Sequence, residues 1–280
     1  MELENSSPSA PDSGTPPETR RSTDSDLSRL IRERRETSEV RNFADALKLR
    51  LEANEAAFGP VDPELMARHE KRIQESIQAE RDRDVKFRWD AFVPKIGVRY
   101  ANCSVKDYVI YDDAQRRVVE RLKQYGRNLR ENVAACRGII LYGPPGAGKD
   151  HLLIALAKYA ICHHEMTVDY VTGAELFMTI RDQMDDDNAK ESTYIRKLLA
   201  PSILIVSDPV PPEDSLKGFR REKLGHIVDR RYRDNKPTWI TANVASGKEA
   251  EERMGPALVS RLREQALSEW CDWPDYRSRR

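Results

Sequence analysis

The chain has 280 residues, of which 34% are charged and 39% apolar, and its 47 basic side chains balance 47 acidic ones. Its four cysteines are scattered, and its longest apolar run, Leu152 to Cys162, has eleven residues including Lys158. A membrane helix needs about 18 such residues, so membrane-spanning, collagen-like and disulfide-scaffold classes are excluded, leaving one full domain plus an extension.

The N-terminal MELENSSPSAPDSG has neither a basic start nor an apolar stretch. No secretory signal is expected there, which predicts a cytoplasmic protein with reduced thiols. Cys162, His163 and His164 adjoin, but neighbours on a helix point in different directions and no second half-site follows, so they are read as structural. The balanced charge supplies no global field for nucleic acid. Any such contact is local, and the candidates are Arg220, Arg221, Lys223, Arg230, Arg231, Arg233, Lys236, Arg277, Arg279 and Arg280. A solvated helix face is the competing reading of that cluster.

Residues 1–26 are rich in Ser, Pro, Thr and Asp and predict a disordered tail. From Asp26 to about Asn54 the spacing of Leu27, Leu30, Ile31, Val40, Phe43, Leu47 and Leu51 predicts an amphipathic helix. After a break at Gly59, Pro60 and Pro63, a second helix is marked by Leu65, Met66, His69, Ile73 and Ile77. These thin stripes fit either a hairpin docking on another protein or a charged extension that binds nothing.

Beyond Phe87 strands and helices alternate. The pattern predicts a helix from Asp112 to Asn132, strand Arg137–Tyr142, helix His151–His163, strand Thr167–Val171, helix Ala174–Met184 and a helix ending near Ala200. Strand Ser202–Ser207, a Pro-rich loop, helix Phe219–Asn235, strand Thr238–Ala242, helix Gly255–Glu264 and strand Leu267–Trp273 complete it. Such alternation predicts an α/β, three-layer architecture around a mostly parallel sheet.

GPPGAGKD, from Gly143 through Pro144, Pro145, Gly146, Ala147, Gly148 and Lys149 to Asp150, follows a predicted strand and opens a predicted helix. That is the setting of the Walker A loop GxxxxGK[ST], whose backbone N–H groups wrap phosphates while the Lys reaches the outer ones. ATP with Mg2+ is the expected ligand. Position 150, however, carries a carboxylate where a hydroxyl normally holds the metal. The facing apolar strand, SILIVSDP, ends in Ser207 and Asp208 rather than in an acidic pair. One reading is an exchange: Asp150 and Ser207 have swapped sides of the metal position, with metal residues Asp150, Ser207 and Asp208 and with Asp208 left for the attacking water. The other is that both departures mark a weakened ATPase.

From about Tyr100 onward these residues resemble the DnaC/IstB group of AAA+ ATPases. The resemblance is carried by NCSVKDY (Asn102–Tyr108), the Walker A loop, IVDRRYRDNKPTWITANVA (Ile227–Ala245), RMGPALVSRLRE (Arg253–Glu264) and WCDWPDYRSRR (Trp270–Arg280). It implies a P-loop AAA+ domain at 96–280 with no C-terminal lid, preceded by a helical extension at 27–95 that grips a partner. It also implies that Asn243 is the polar sensor and Arg261 the arginine finger through which copies self-associate. The family's functions set the expectations: a helicase loader of DNA replication that binds ATP, single-stranded DNA and a replicative helicase, or an IstB-type helper working with a transposase. A third possibility is a nucleotide-gated adaptor that does not hydrolyse ATP.

Overall fold

The computed structural model describes residues 63–185, 191–210, 218–264 and 266–276, together with Lys48. The predicted tail, the first predicted helix apart from Lys48, and Arg277, Arg279 and Arg280 lie outside the described residues. No described helix is long and apolar enough to cross a membrane.

Helix α1 (Pro63–Ile96) opens on the proline expected to end a break, because a first-turn N–H has no helical partner to lose. It also continues well past Ile77. The chain divides into two units between Ser76 and Ile77. In the first, Arg68 pairs with Glu64 and Lys71 with Glu75 across single helical turns. In the second, Val85, Trp89, Phe92 and Ile96 fall on one stripe, with Phe92 and Ile96 fully inside the core. Arg88 donates to the Glu165 carbonyl at 2.6 Å, and Lys95 meets Asp169 at 2.5 Å.

The sheet comprises β1 (Ile139–Tyr142), β2 (Val168–Thr172), β3 (Ile203–Ser207), β4 (Thr238–Ala242) and β5 (Leu267–Trp270). All pairings are parallel, in the order β2-β3-β4-β1-β5. The sequences IILY, ILIVS and TWITA are buried at every position, which is what helices on both faces demand of central strands. One face carries α2 (Asp113–Arg127), α3 (Leu129–Ala134) and α4 (Lys149–His164), and its core includes Val118, Leu122, Leu153 and Trp239. Against the other, Ile140, Leu204 and Ile240 face α5 (Gly173–Asp185), α6 (Glu191–Leu199), α7 (Phe219–Arg233), α8 (Gly247–Met254) and α9 (Pro256–Arg263).

Two elements differ from the sequence expectation. The helix predicted over Asp112–Asn132 breaks at Asn128, where the Asn132 amide donates to the Tyr125 carbonyl at 2.9 Å in place of a helical N–H. Helix α8 was not anticipated. Ser246 caps it by accepting the Glu249 N–H at 3.0 Å, and Glu249 in turn accepts the Ala245 N–H at 2.5 Å. This is a close relative of the capping box, visible in the sequence as Ser246-Gly-Lys-Glu249.

Candidate functional site

The carboxyl ends of β1, β3 and β4 lie side by side, and their loops open into one crevice, the position where parallel α/β sheets bind ligands. From β1 the chain enters the loop at Gly143, whose φ of 140° and contact with the Cys271 carbonyl leave no room for a side chain. At Gly148 (φ 82°) a Cβ would lie 2.8 Å from the Tyr108 ring. Helix α4 then starts at Lys149 and points its N-terminal N–H groups back at the loop.

Lys149 is almost wholly buried, and its ammonium donates to the carbonyls of Gly143 (2.9 Å) and Pro144 (2.8 Å) and to Asn243 Oδ1 (2.7 Å). An ammonium only donates, so Asn243 turns its oxygen to Lys149, and its nearby side chain favours the ionised Asp208 carboxyl. Lys149, Asn243 and Asp208 thus line the same cavity beside the loop.

Asp208 has a left-handed φ of 45° immediately before Pro209, an unfavourable conformation for a non-glycine residue. Its Oδ1 is buried without a hydrogen-bond partner among the described residues. Burial above all, and then the charge of Asp150, push its carboxyl up to about 6 against the pull of Lys149. Asp150 is differently placed. Its Oδ1 accepts the hydroxyls of Ser207 at 2.8 Å and Thr241 at 3.0 Å. The crevice therefore combines an ammonium, a helix N-terminus and two hard carboxylates, a donor set matched to a polyphosphate held through a divalent cation.

Next to the loop is a cavity of about 660 Å³ lined by Gly146, Lys149, Asp150, Asp208 and Asn243 on one side and by Arg99, Tyr108, Tyr111, Gln115 and Tyr276 on the other. The Tyr111 and Tyr276 rings stand 6.3 Å apart. Ala147 presents its carbonyl to two donors, the Tyr108 hydroxyl at 2.9 Å and the Trp273 indole at 2.8 Å. His151 Nε2 lies 2.9 Å from the Ser104 carbonyl, so that nitrogen carries the proton and Nδ1 accepts the Cys103 thiol at 3.4 Å. Burial pushes that thiol up to about 11, keeping it a neutral donor.

Gly143 to Asp150, Ser207, Asp208 and Asn243 therefore converge. Arg261 does not line the cavity; it lies on α9, half-exposed and ion-paired with Asp229 of α7. Arg231 requires a correction. Although grouped by sequence with the surface cations, it is fully buried and donates to the carbonyls of Leu198, Pro201, Ser202 and Pro237, so it is unavailable to a nucleic-acid phosphate. Sequence reasoning missed Thr241 and the two donors to Ala147. The only signal for Thr241 was its place two residues before Asn243, at the end of a buried strand.

Comparison with known proteins identifies the family. The family model of the IstB-like ATP binding protein matches residues 61–266. The replicative helicase loader DnaC of Buchnera aphidicola subsp. Baizongia pistaciae (strain Bp) is 27% identical over 222 residues, covering 78% of this chain and 87% of the relative. DnaC of the subspecies Acyrthosiphon pisum (strain APS) is 29% identical over 186 residues, covering 65% of this chain and 72% of the relative. A crystal structure of the DnaC helicase loader superposes with a TM-score of 0.56 at 23% identity, over 62% of this chain and 99% of the other, and shares the P-loop AAA+ fold. With a matched segment that spans well over half its length, the chain belongs to the IstB-like ATP-binding protein family.

Proposed function

We propose that this protein is an ATP-dependent helicase loader of DNA replication, acting in the cytoplasm. The observation that carries the reading is the gathering of Lys149, Asp150, Asp208 and Asn243 around one cavity at the mouth of the phosphate loop, with Lys149 bonded to Asn243. Similarity to replicative helicase loaders over most of the chain supports the partner.

In this reading the N–H groups from Gly143 to Asp150 hold the triphosphate, and Asp150, Ser207 and Asp208 hold Mg2+. The metal supplies charge neutralisation between the phosphate oxygens. The Asp208 carboxylate accepts a proton from the attacking water, and Asn243 holds Lys149 beside it. Arg261 leaves its own Asp229 to meet a neighbouring copy's nucleotide, so self-association completes the site. The residues ahead of Ile77 grip the helicase, and the exposed cations of α7 follow single-stranded DNA.

Purified full chain titrated with a fluorescent ATP analogue and Mg2+, then run on gel filtration with the replicative helicase of the same cell, tests this. Nucleotide binding and a co-eluting complex are expected. No nucleotide binding overturns the reading. Nucleotide binding with a transposase partner and no helicase complex moves the protein to the second reading, the transposition helper that the IstB-like family match favours.

A further inference from the structure

Thr241, the fourth residue of β4, has no solvent exposure, yet its hydroxyl stands among the polar groups of the site. It lies 3.0 Å from Asp150 Oδ1, 3.3 Å from Ser207 Oγ and 3.2 Å from the Asp208 backbone N–H. A hydroxyl has one hydrogen to give. The charged acceptor takes it: Thr241 donates to Asp150 and receives the Asp208 N–H, which the Thr241 carbonyl also accepts at 3.1 Å.

Two consequences follow for the acids. Ser207 and Thr241 converge on the same oxygen of Asp150, so the carboxylate is turned by two strand ends and Oδ2 is left as the ligating oxygen. The Asp208 N–H, tied to Thr241 twice, holds that residue in its left-handed conformation before Pro209, with Oδ1 buried and, among the described residues, unpartnered. A valine would fill the same space without either bond.

We propose that Thr241 is the positioning residue of a divalent-cation site, a single buried hydroxyl that sets which oxygen of Asp150 faces the ion and holds the Asp208 backbone beside it. It touches neither metal nor nucleotide and acts through both acids, as partners of metal ligands do. The inference rests on the magnesium-nucleotide reading of the same crevice.

The test is the Mg2+ concentration that half-saturates binding of a fluorescent ATP analogue to the full chain, measured for wild type, Thr241→Val and Thr241→Ser. Thr241→Val is expected to raise that concentration by about ten-fold or more, with nucleotide affinity in the absence of metal unchanged. Thr241→Ser, which keeps the hydroxyl, stays within about two-fold of wild type, since the two bonds to the acids survive. In an Asp150→Thr background Thr241→Val raises the requirement by less than in wild type, because the carboxylate it aims is gone and only its hold on Asp208 remains. If Thr241→Val does not fold, Thr241→Cys, of similar bulk and weaker donation, is expected to shift the requirement the same way. An unchanged requirement in the Val or Cys variant, an equal loss in Ser, or full multiplicativity with Asp150→Thr overturns the positioning role alone. A wild-type protein that binds nucleotide indifferently to Mg2+ overturns the magnesium reading with it.

Discussion

Ser207 donates its hydroxyl to Asp150 Oδ1 at 2.8 Å, so the residue ending the phosphate loop and the residue ending the central strand share one hydrogen bond. A usual site of this fold has a hydroxyl on the loop and an acid on the strand. Here the two chemistries stand on opposite sides, in contact, and the local complement is still one carboxylate and one hydroxyl.

A coupling is therefore expected. Asp150→Thr alone weakens Mg2+-dependent nucleotide binding, and Ser207→Asp alone places a second acid against Asp150. The double variant restores binding beyond the sum of the singles, with an interaction of roughly 0.5–3 kcal/mol for residues in contact. Isothermal titration of all four proteins at fixed Mg2+ measures it. Simple additivity would sink the exchange and leave a weakened ATPase.

Arg231→Met should cost stability rather than ligand binding. The guanidinium closes the carbonyl end of α6 by donating to Leu198, Pro201, Ser202 and Pro237, and burial pulls its proton affinity down to about 10. Methionine fills most of the volume and leaves these acceptors unpaired, a loss of about 3 kcal/mol or more at about 1–3 kcal/mol per stranded group. That corresponds to a melting point lower by roughly 6–12 °C in a domain of this size. A variant melting within a degree of wild type contradicts the assignment.

Arg231 also shows where the sequence stops being informative. The central strands were legible because burial on both faces leaves only apolar runs such as ILIVS, and the phosphate loop because its glycines and lysine are required by geometry. A cation among five others on α7 reads as surface when its acceptors are backbone carbonyls from distant loops, because carbonyls leave no trace in composition. Thr241 was hidden because its partners are distant in sequence: Asp150 lies at the start of α4 and Asp208 follows β3. The docked part of α1 was recoverable, since Val85, Trp89, Phe92 and Ile96 keep a four-three-four spacing inside a highly charged stretch.

With Arg231 inside the fold, the surface of α7 offers Arg230 and Arg233, each half-exposed and paired with an acid of its own helix. Exposed pairs of this kind contribute about 0–1 kcal/mol, so phosphate can displace them cheaply. Arg230→Ala with Arg233→Ala should weaken single-stranded DNA binding and flatten its dependence on log salt by about 0.7 per lost contact. Fluorescence anisotropy across a salt series reads this out. An unchanged slope returns α7 to a solvated face.

Asp229 holds two arginines, taking Arg233 on Oδ2 and Arg261 on Oδ1. Because Arg261 lies outside the nucleotide cavity, Arg261→Ala should leave nucleotide affinity at low protein concentration within about two-fold while lowering hydrolysis at concentrations where copies assemble. Turnover per chain measured against protein concentration separates the cases. Equal curves for wild type and variant make Arg261 a structural ion pair.

The Ala147 carbonyl accepts the Tyr108 hydroxyl from the segment ahead of α2 and the Trp273 indole from the segment after β5. A carbonyl oxygen has two lone pairs, so either donor alone keeps the peptide satisfied. Tyr108→Phe or Trp273→Phe should then cost little, below about 1 kcal/mol in nucleotide binding. Removing both strands a buried acceptor in the middle of the phosphate loop and frees that peptide to turn, which rotates the N–H groups of Gly148 and Lys149 away from the direction a phosphate needs. The double variant is expected to lose about 1–3 kcal/mol beyond the sum of the singles. Fluorescent-nucleotide titrations on the four proteins, each checked for a cooperative melt, give the coupling directly. Strict additivity would mean that the two side chains fix their own segments and not the loop between them.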